Sequence, residues 1–405
     1  WYTCNGINVV NGPILAASLL FEKDFDTTSY YEAALRQIRN AIAAHCPDGG
    51  YPEGPLYWNY GIRYMLYGVE SLRRLKGIDL YHEPFLHNTG DYILHQVLPW
   101  LTNCHNPSDS SHFTHLWEPV AAFAAYHKRP DWQWLARRLI KHDWAGDGEG
   151  LEYSLMYLIY YEPDLPAAPP PQEKAVQLFS GLHNLEMRSD WSEDAIAALW
   201  LSGAANFHHN HLHLNSFDIA AFGERLLVDM GQFDYSIPWE KEYRSQTAGH
   251  NSLLVNGRGH VITTDTDIFC RRLRAGQWGT VYGIFNCLRE EAGAVIATGA
   301  TINAYPGLLE KFDRTLAFID RRFFFMHDFV ELAAMPPVAL EWHFHSGGTV
   351  DLTGDGALMA NGDARLAISL LDPAAVMRRT ESAPAARCVP DKPIMRFDLL
   401  AYCAT

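Results

Sequence analysis

Features that would assign the protein to several common classes are missing from its sequence. The seven cysteines are scattered and form no C-x-x-C pair, which argues against a zinc ribbon and against a disulfide framework. No segment approaches the roughly 18 consecutive apolar residues that a membrane span needs. Lysine and arginine number 32 against 47 acidic residues. The resulting net charge of −15 argues against a nucleic-acid-binding protein, which normally carries a basic patch.

Apolar and aromatic residues, by contrast, are plentiful. Apolar residues make up 48% of the 405 positions, and 12 tryptophans and 20 tyrosines contribute to an aromatic content of 13%. A chain of this length exceeds one ordinary hydrophobic core, so we expect two domains. Tryptophan and tyrosine also stack on sugar rings or anchor interfaces, which keeps carbohydrate binding open.

The hydrophobic pattern divides the chain and predicts an α+β fold. Over 1–165 apolar residues recur at helical spacing, and Gly77 and Pro130 mark one helix end and one helix start. We place a linker at 166–174, because its prolines cannot lie in a helix or a central strand. Over 175–405 the period changes to two, in short runs bounded by turn residues, which predicts an antiparallel β-sandwich.

The segment "HHNHLH" contains four histidines within six residues and marks a candidate metal site. If 211–217 is a strand, His211 and His213 point to the same face. Asp229 lies at the end of the next apolar run, and His250 lies at the start of another. Histidine and aspartate are suitable zinc ligands. A histidine-rich edge strand without a metal remains the alternative at this point.

The same region resembles a known family. The stretch "HLHLNSFDIAAFGERLLVDMGQFDYSIPWEKEYRSQTAGHNSLLVNG" is similar to the heparinase II/III-like C-terminal domain of polysaccharide lyases. That family shows H-x-H-x-D-x-x-F, then D-x-G, Y-x-x-P, and R-x-x-T/E-x-H-N-T/S-L-x-V. Asn215 stands where the family often has aspartate, but that aspartate is not usually a metal ligand. "CPDGGYPEGPLYWNYG" and "WYTCNG" likewise resemble segments of the family's helical part.

The resemblance covers most of the chain up to about residue 260 and implies an architecture and a reaction. The architecture is an N-terminally incomplete (α/α) toroid followed by an antiparallel β-sandwich, with further helices expected upstream of Trp1. The reaction is β-elimination on a uronic acid within an acidic polysaccharide or oligosaccharide, such as a glycosaminoglycan or alginate. The family also implies a periplasmic or secreted enzyme.

The resemblance further implies site residues. Tyr57 occupies the position of the catalytic tyrosine, and His211 acts on the substrate as base or carboxylate binder. Asn5 is the candidate that neutralises the substrate carboxylate, although a helix-starting asparagine explains it equally well. Tyr235 is a candidate second tyrosine. The implied zinc ligands are His213, Asp229 and His250, around a structural ion.

Several other side chains are candidate substrate contacts. They are Glu53, Trp58, Tyr60, Arg63, His115, Tyr243 and Arg244. For Trp58 a position in the core is an equal alternative, and for Arg244 a bridge within the fold. Tyr60 is an alternative acid–base residue, because it lies one helical turn beyond Tyr57. His208 and His209 are expected to be exposed loop residues.

Two other functions compete with the lyase. In a zinc-dependent hydrolase the histidine and aspartate site would itself be catalytic, and the products would contain no double bond. A glycan-binding protein on a lyase scaffold would bind acidic glycans and release no product. The predicted partner is an acidic polysaccharide or oligosaccharide substrate. We expect no nucleic-acid partner and no membrane span.

Overall fold

The computed structural model of the protein describes residues 2–101, 103–112, 117–143, 158–203, 207–260, 282–302, 304–333, 338–371, 376–381 and 395–403. The chain forms two compact units. The helical unit comprises Trp1–Cys104, Phe113–Pro171 and Phe179–Leu182, and the strand unit comprises His105–His112, Gln172–Leu178 and His183–Thr405. Helices in the first unit and antiparallel sheets in the second confirm the predicted α+β class.

The helices of the helical unit are α1 (Asn5–Leu20), α2 (Thr28–Ala44), α3 (Gly54–Lys76), α4 (Pro84–Gln96), α5 (Trp117–His127) and α6 (Pro130–Asp143). Two predicted signals are confirmed at their ends. Gly77 follows α3 with a left-handed φ of 67°, and its N–H donates to the carbonyl oxygen of Arg73 over 3.1 Å. Pro130 is the first residue of α6. In the described ranges, no helix is both long enough and apolar enough to cross a membrane.

Helices α1 and α3 approach each other closely at Gly12. A Cβ atom at this position would lie 1.9 Å from the carbonyl oxygen of Tyr64, so only glycine fits there. The buried side chains of Leu15 on α1 and Met65 on α3 flank this contact. The close packing also brings Asn5, at the start of α1, next to Glu53, which precedes α3.

The strands are β1 (Val176–Phe179), β2 (Asn184–Arg188), β3 (Ala197–Leu201), β4 (Ser216–Ala221), β5 (Glu224–Leu227), β6 (Leu253–Val255), β7 (Tyr282–Glu291), β8 (Ala294–Ile302), β9 (Leu309–Ile319), β10 (Phe323–Leu332), β11 (Val338–Ser346), β12 (Thr349–Leu352), β13 (Gly356–Asn361), β14 (Ala364–Ser369), β15 (Val376–Glu381) and β16 (Met395–Cys403). A short helix, α7 (Pro238–Arg244), precedes β6.

These strands form three sheets. A nine-stranded sheet has the order β1-β2-β3-β4-β5-β11-β16-β15, with β6 paired to β11. A four-stranded sheet has the order β10-β9-β8-β7, and a three-stranded sheet has the order β12-β13-β14. One apolar cluster draws on all three, with Trp200 from the first, Phe312 from the second and Met359 from the third. The finer prediction of a toroid followed by a sandwich stays a prediction.

A fully buried arginine on β9 ties the four-stranded sheet to the loops around the candidate site. The Nε and Nη2 atoms of Arg314 donate to the two carboxylate oxygens of Asp328 on β10, over 2.9 and 2.7 Å. Its Nη1 donates to the carbonyl oxygens of Asn215 and Asn251, over 2.7 and 2.9 Å. Because every donating nitrogen has a partner, the buried charge is compensated.

We predict that Arg314→Met destabilises the protein by roughly 3–5 kcal/mol, because Asp328 would remain as a buried charge without its partner. Denaturant unfolding of the variant measures the loss. Lys311→Met is the matched control on the same strand, since Lys311 pairs with Asp313 at the exposed surface. Equal losses in free energy of unfolding for the two variants would contradict the role assigned to Arg314.

Candidate metal centre

The hairpin of β4 and β5 places the predicted histidines and the aspartate at the same end. His211 and His213 precede β4, and Asp229 lies two residues beyond the end of β5. Because β4 and β5 are antiparallel, the residues before one strand and after the other lie together. His250 lies between a short 3₁₀ turn at Thr247–Gly249 and β6. Strand β6 pairs with β11, which also pairs with β5, and so His250 reaches the same region.

The predicted strand over 211–217 is wrong at its start. The strand begins at Ser216, because Asn215 has a left-handed φ of 57° and the N–H of Ser216 donates to the carbonyl oxygen of His213 over 2.9 Å. This turn cannot continue a strand. His211 and His213 therefore lie in a loop, and packing of that loop, not strand alternation, brings their ring centroids to 6.3 Å.

The four predicted side chains form one buried cluster. The Nδ1 of His250 lies 2.8 Å from the Oδ2 of Asp229. The ring centroid of His250 lies 5.2 Å from that of His211 and 5.4 Å from that of His213. Each of the four side chains is at most 4% exposed. One potential ligand atom each from His211, Asp229 and His250 lie within 4.8 Å of one another.

The ionisation of the cluster suits a cation. Burial and the neighbouring His250 lower the pKa of His213 well below its ordinary value, which favours the neutral imidazole. Burial raises the pKa of Asp229, but its interactions with His250 outweigh burial and hold that pKa well below the ordinary range. Neutral imidazoles and an ionised carboxylate are the forms in which these side chains bind metal ions.

The hydrogen bonding of the cluster also fits a metal. Among the described residues, the Nδ1 atoms of His211 and His213 and the Nε2 atom of His250 have no hydrogen-bond partner, although all three are buried. A buried polar atom without a partner costs roughly 1–3 kcal/mol. The imidazoles of His213 and His250 and the carboxylate of Asp229 are the nitrogen and oxygen donors that a zinc ion takes. The residues present therefore fit zinc.

A second carboxylate, which the sequence analysis did not identify, adjoins the cluster. The Oδ1 of Asp109 lies 2.7 Å from the Nε2 of His211. The hydroxyl of Tyr235 donates to its Oδ2 over 2.6 Å, and the Nδ1 of His209 lies 3.0 Å from the same oxygen. Burial raises the pKa of Asp109, but these hydrogen bonds outweigh burial and hold that pKa well below the ordinary range. Asp109 is therefore an ionised acceptor.

Asp109 belongs to a polar segment, His105–His112, that lies in the strand unit although its sequence position falls between α4 and α5. The Nδ1 of His105 lies 2.7 Å from the Oδ1 of Asp218 on β4. The N–H of Asp109 donates to the carbonyl oxygen of His209 over 3.0 Å. The amide of Asn106 donates to the carbonyl oxygen of Asp229 over 3.2 Å. The run "HNPSDSSH" was the only sequence signal for this segment.

The sequence of the strand unit identifies the family to which this chain belongs. The sequence model described as heparinase II/III-like, C-terminal, matches residues 180–388, which is more than half of the 405 residues. The chain belongs to the heparinase II/III-like family. No curated protein matches the sequence.

Solved structures of a heparan sulfate lyase and of heparinase III are similar in fold to this chain. A heparan sulfate lyase, HepC, from Pedobacter heparinus superposes with a TM-score of 0.72 at 16% identity, over 98% of this chain and 57% of that one. Two heparinase III structures give TM-scores of 0.71 and 0.70 at 14% and 11% identity, over 98% of this chain and 59% and 61% of theirs. The chain thus spans 57% to 61% of the length of these relatives.

In this heparinase II/III-like chain the predicted candidates on the strand unit have distinct surroundings. Tyr235 is 55% exposed, and its hydroxyl contacts Asp109 and lies 3.1 Å from the Nδ1 of His209. The hydroxyl of Tyr243 lies 3.0 Å from the Nε2 of the buried His345. Arg244 is 1% exposed, and its Nη1 donates to the carbonyl oxygen of Gln232 over 2.5 Å. Arg244 therefore fits the alternative of a bridge within the fold and not a contact to substrate.

The structure also corrects the expectation that His208 and His209 are exposed loop residues. His209 is only partly exposed and contacts Asp109 and Tyr235, so it is not an idle loop residue. Its left-handed φ of 59° turns the chain just before His211. His208 is half-buried as well.

Tyr57, Asn5 and Glu53 lie close in sequence or space in the helical unit. Tyr57 is half-buried in the first turn of α3. The backbone N–H and the Nδ2 of Asn5 both donate to the Oε2 of the fully buried Glu53, over 2.7 and 3.1 Å. Glu53 thus caps the positive N-terminus of α1. The amide of Asn5 is a carboxylate binder in this structure, but the carboxylate is that of Glu53.

The remaining candidates of the helical unit divide by burial. Trp58 is 0% exposed, and its Nε1 donates to the hydroxyl of Thr89 over 2.7 Å, so it belongs to the core and offers no face to a sugar. Arg63 forms a 2.8 Å ion pair with the buried Glu118. Tyr60 is 44% exposed. His115 lies outside the described residues.

We predict that the protein binds zinc and that chelation lowers its melting temperature, because the ion binds only the folded cluster. With zinc at about 100 times its dissociation constant, the folded state gains roughly 2.7 kcal/mol. Calorimetric scans with and without chelator measure the difference. His213→Ala should abolish it, whereas His327→Ala, at an exposed histidine of β10, should retain it. An unchanged melting temperature on chelation of the parent protein would refute the metal centre.

Proposed function

We propose that this chain is a polysaccharide lyase that cleaves an acidic, uronic-acid-containing glycan by β-elimination. The observation that carries the proposal is the extent of the fold likeness, which covers 98% of this chain in a heparan sulfate lyase. The likeness includes the helical unit as well as the strand unit that the family's sequence model matches. The further arrangement that we propose, an incomplete toroid followed by a sandwich, is that of the family.

The reaction makes three demands on the protein. A base removes the proton at C5, the electron pair of that bond forms the C4–C5 double bond, and the C4–oxygen bond breaks. The leaving oxygen must receive a proton from an acid. The C5 proton is weakly acidic, so hydrogen-bond donors or cations must stabilise the charge that develops on the adjacent carboxylate.

We assign the acid–base step to Tyr57. It is the residue that the family resemblance places there, and it is half-buried, so one part of the side chain is fixed by packing while another remains accessible. A tyrosine that accepts the C5 proton as phenolate becomes the phenol that returns a proton to the leaving oxygen. Tyr60, one turn further along α3 and more exposed, is the alternative.

Asn5 is the candidate that the family resemblance implies for binding the substrate carboxylate. Asn5 supplies an amide donor of the right type, and Glu53 accepts hydrogen bonds from its backbone N–H and from its Nδ2. Asn5 is 7% exposed, so a substrate carboxylate has little access to the second N–H of this amide. We therefore propose that the main role of Asn5 and Glu53 is to stabilise the start of α1, and that substrate binding is their secondary role.

The proposed zinc ion has a structural role. His213, Asp229 and His250 would hold it, and its charge would compensate the buried carboxylate of Asp229 and fix the loops on which these residues lie. The substrate that we propose is a glycosaminoglycan, in line with the heparan sulfate lyase named above, with alginate as the second choice. A net charge of −15 favours short oligosaccharides, which need fewer basic contacts than a long sulfated chain. The proposed location is the periplasm or the exterior of the cell.

We predict that the protein generates an unsaturated uronate from one of a panel of acidic polysaccharides and oligosaccharides. The double bond absorbs in the ultraviolet, so absorbance follows the reaction directly. Tyr57→Phe should lower kcat by roughly 100- to 10,000-fold, because it removes the group that transfers the proton. Tyr30→Phe, at an exposed tyrosine of α2, is the matched control and should retain activity.

The other outcomes separate the competing functions. New reducing ends without ultraviolet absorbance would refute the lyase and indicate a hydrolase. Binding without any product would indicate a glycan-binding protein. Full activity of Tyr57→Phe together with loss of activity in Tyr60→Phe would assign the acid–base step to Tyr60.

A further inference from the structure

A cavity of about 330 Å³ lies in the helical unit, between the C-terminal half of α3 and helix α5. Its volume is at the lower end of the range for small-ligand pockets, roughly 300–1,000 Å³. We call it the α3–α5 cavity. Its polar and aromatic lining includes Glu70, Arg73 and Arg74 of α3, Tyr126 of α5, and Lys128.

The α3–α5 cavity is distant from the candidate acid–base residue. Tyr57 lies in the first turn of α3, whereas Glu70 and Arg74 lie in its last two turns. At a rise of 1.5 Å per residue, Tyr57 and Glu70 are separated by roughly 20 Å along the helix axis. The side chains of the cavity therefore lie too far from Tyr57 to take part in its proton transfer.

The lining of the cavity is positively charged, although the whole chain has a net charge of −15. Arg73, Arg74 and Lys128 are cations, and Glu70 is the carboxylate among the lining residues. Burial raises the pKa of Glu70, but hydrogen bonds from both arginines outweigh burial and hold that pKa below its ordinary value. Lys128 also pairs with Glu162, but both side chains are exposed, so this pair is weak.

Glu70 fixes the two guanidinium groups in place. The Nε and Nη2 of Arg73 donate to its two carboxylate oxygens over 3.0 and 2.7 Å, and the Nε of Arg74 donates to its Oε1. Among the described residues, the two terminal nitrogens of Arg74 make no hydrogen bond, and its side chain is 55% exposed. A guanidinium that is oriented in this way can donate to the paired oxygens of a carboxylate or sulfate.

Tyrosine rings form a fixed wall beside these cations. The ring of Tyr126 stacks on that of Tyr81, with centroids 4.1 Å apart and planes inclined by 14°. The hydroxyl of Tyr126 donates to Asp79, and that of Tyr81 donates to the Oε2 of Glu70 over 3.3 Å. Tyr81 is 1% exposed, whereas Tyr126 is half-buried and lines the cavity. An aromatic ring that is already ordered can pack against a sugar at little cost in entropy.

We propose that the α3–α5 cavity is a second, non-catalytic site that binds an acidic saccharide. Arg74, with Arg73 beside it, donates to the carboxylate or sulfate of the ligand, and the ring of Tyr126 packs against a sugar ring. The aromatic wall favours a saccharide over an inorganic anion, which would use the cations alone. Because the cavity is small, its occupant is a short saccharide or one end of a longer chain. The site goes beyond the proposed function, since binding here does not depend on cleavage.

The test uses three methyl glycosides, none of which carries a sugar at C4 for a lyase to expel. Methyl glucuronide carries a carboxylate, methyl N-acetylglucosaminide 6-sulfate carries a sulfate, and methyl glucoside is neutral. Titrations of the full chain followed by NMR measure the affinity of each. We expect at least one acidic glycoside to bind roughly 10-fold or more tightly than the neutral one, because hydrogen bonds to charged groups are the stronger ones.

Variants locate the binding. Arg74→Gln should lower the affinity for the acidic glycoside by roughly 10-fold or more, because it removes the charged donor. Arg39→Gln, at an exposed arginine of α2, is the matched control and should leave the affinity unchanged. Tyr126→Ala should also weaken binding, whereas Tyr126→Phe retains the ring and should retain most of the affinity.

Three results would overturn the inference. They are parent affinity in Arg74→Gln, equal affinity of the neutral and acidic glycosides, and inorganic sulfate that binds as tightly as both acidic glycosides. A failed lyase assay of the parent protein would refute the proposed reaction, but it would not alter these titrations.

Discussion

The candidate site depends most directly on the hydrogen bonds that the guanidinium of Arg314 donates. Arg314 lies on β9, is fully buried, and donates to the backbone carbonyls of Asn215 and Asn251. One of these residues follows His213 by two positions, and the other follows His250 directly. Asp328 supplies the compensating charge, because a buried cation alone would cost several kcal/mol. A single charge in the four-stranded sheet thus fixes two loops that belong to the nine-stranded sheet.

Local pattern predicted much of the fold, because the features concerned are local. The change from helical spacing to a period of two separates helices from strands, and the end of α3 follows from the left-handed conformation that Gly77 tolerates. The start of β4 could not be predicted in the same way. Its position depends on the turn at Asn215, whose side chain donates to the carbonyl oxygen of Gly299 on β8, 84 residues away. Long-range contacts of this kind leave no periodic trace in the sequence.

The same distinction holds for the site residues. His211, His213, Asp229 and His250 could be found because their spacing matches a known pattern. Asp109 could not, because it is separated from His211 by 102 positions and lies in a polar run without periodicity. Residue type was also a poor guide to the surroundings of charged and aromatic candidates. Arg63 and Arg244 could have faced a substrate, yet each bonds to groups of the protein, and Trp58 lies in the core.

The path of His105–His112 limits how far the two units can be studied as separate pieces. This segment is counted with the strand unit, although helices of the other unit precede and follow it in sequence. A fragment that begins at Gln172 would keep the four residues of the buried cluster. It would lose Asp109, the partner of His211, and His105, the partner of Asp218. The proline-rich segment is therefore a boundary in the fold but not a place where the chain divides into self-sufficient modules.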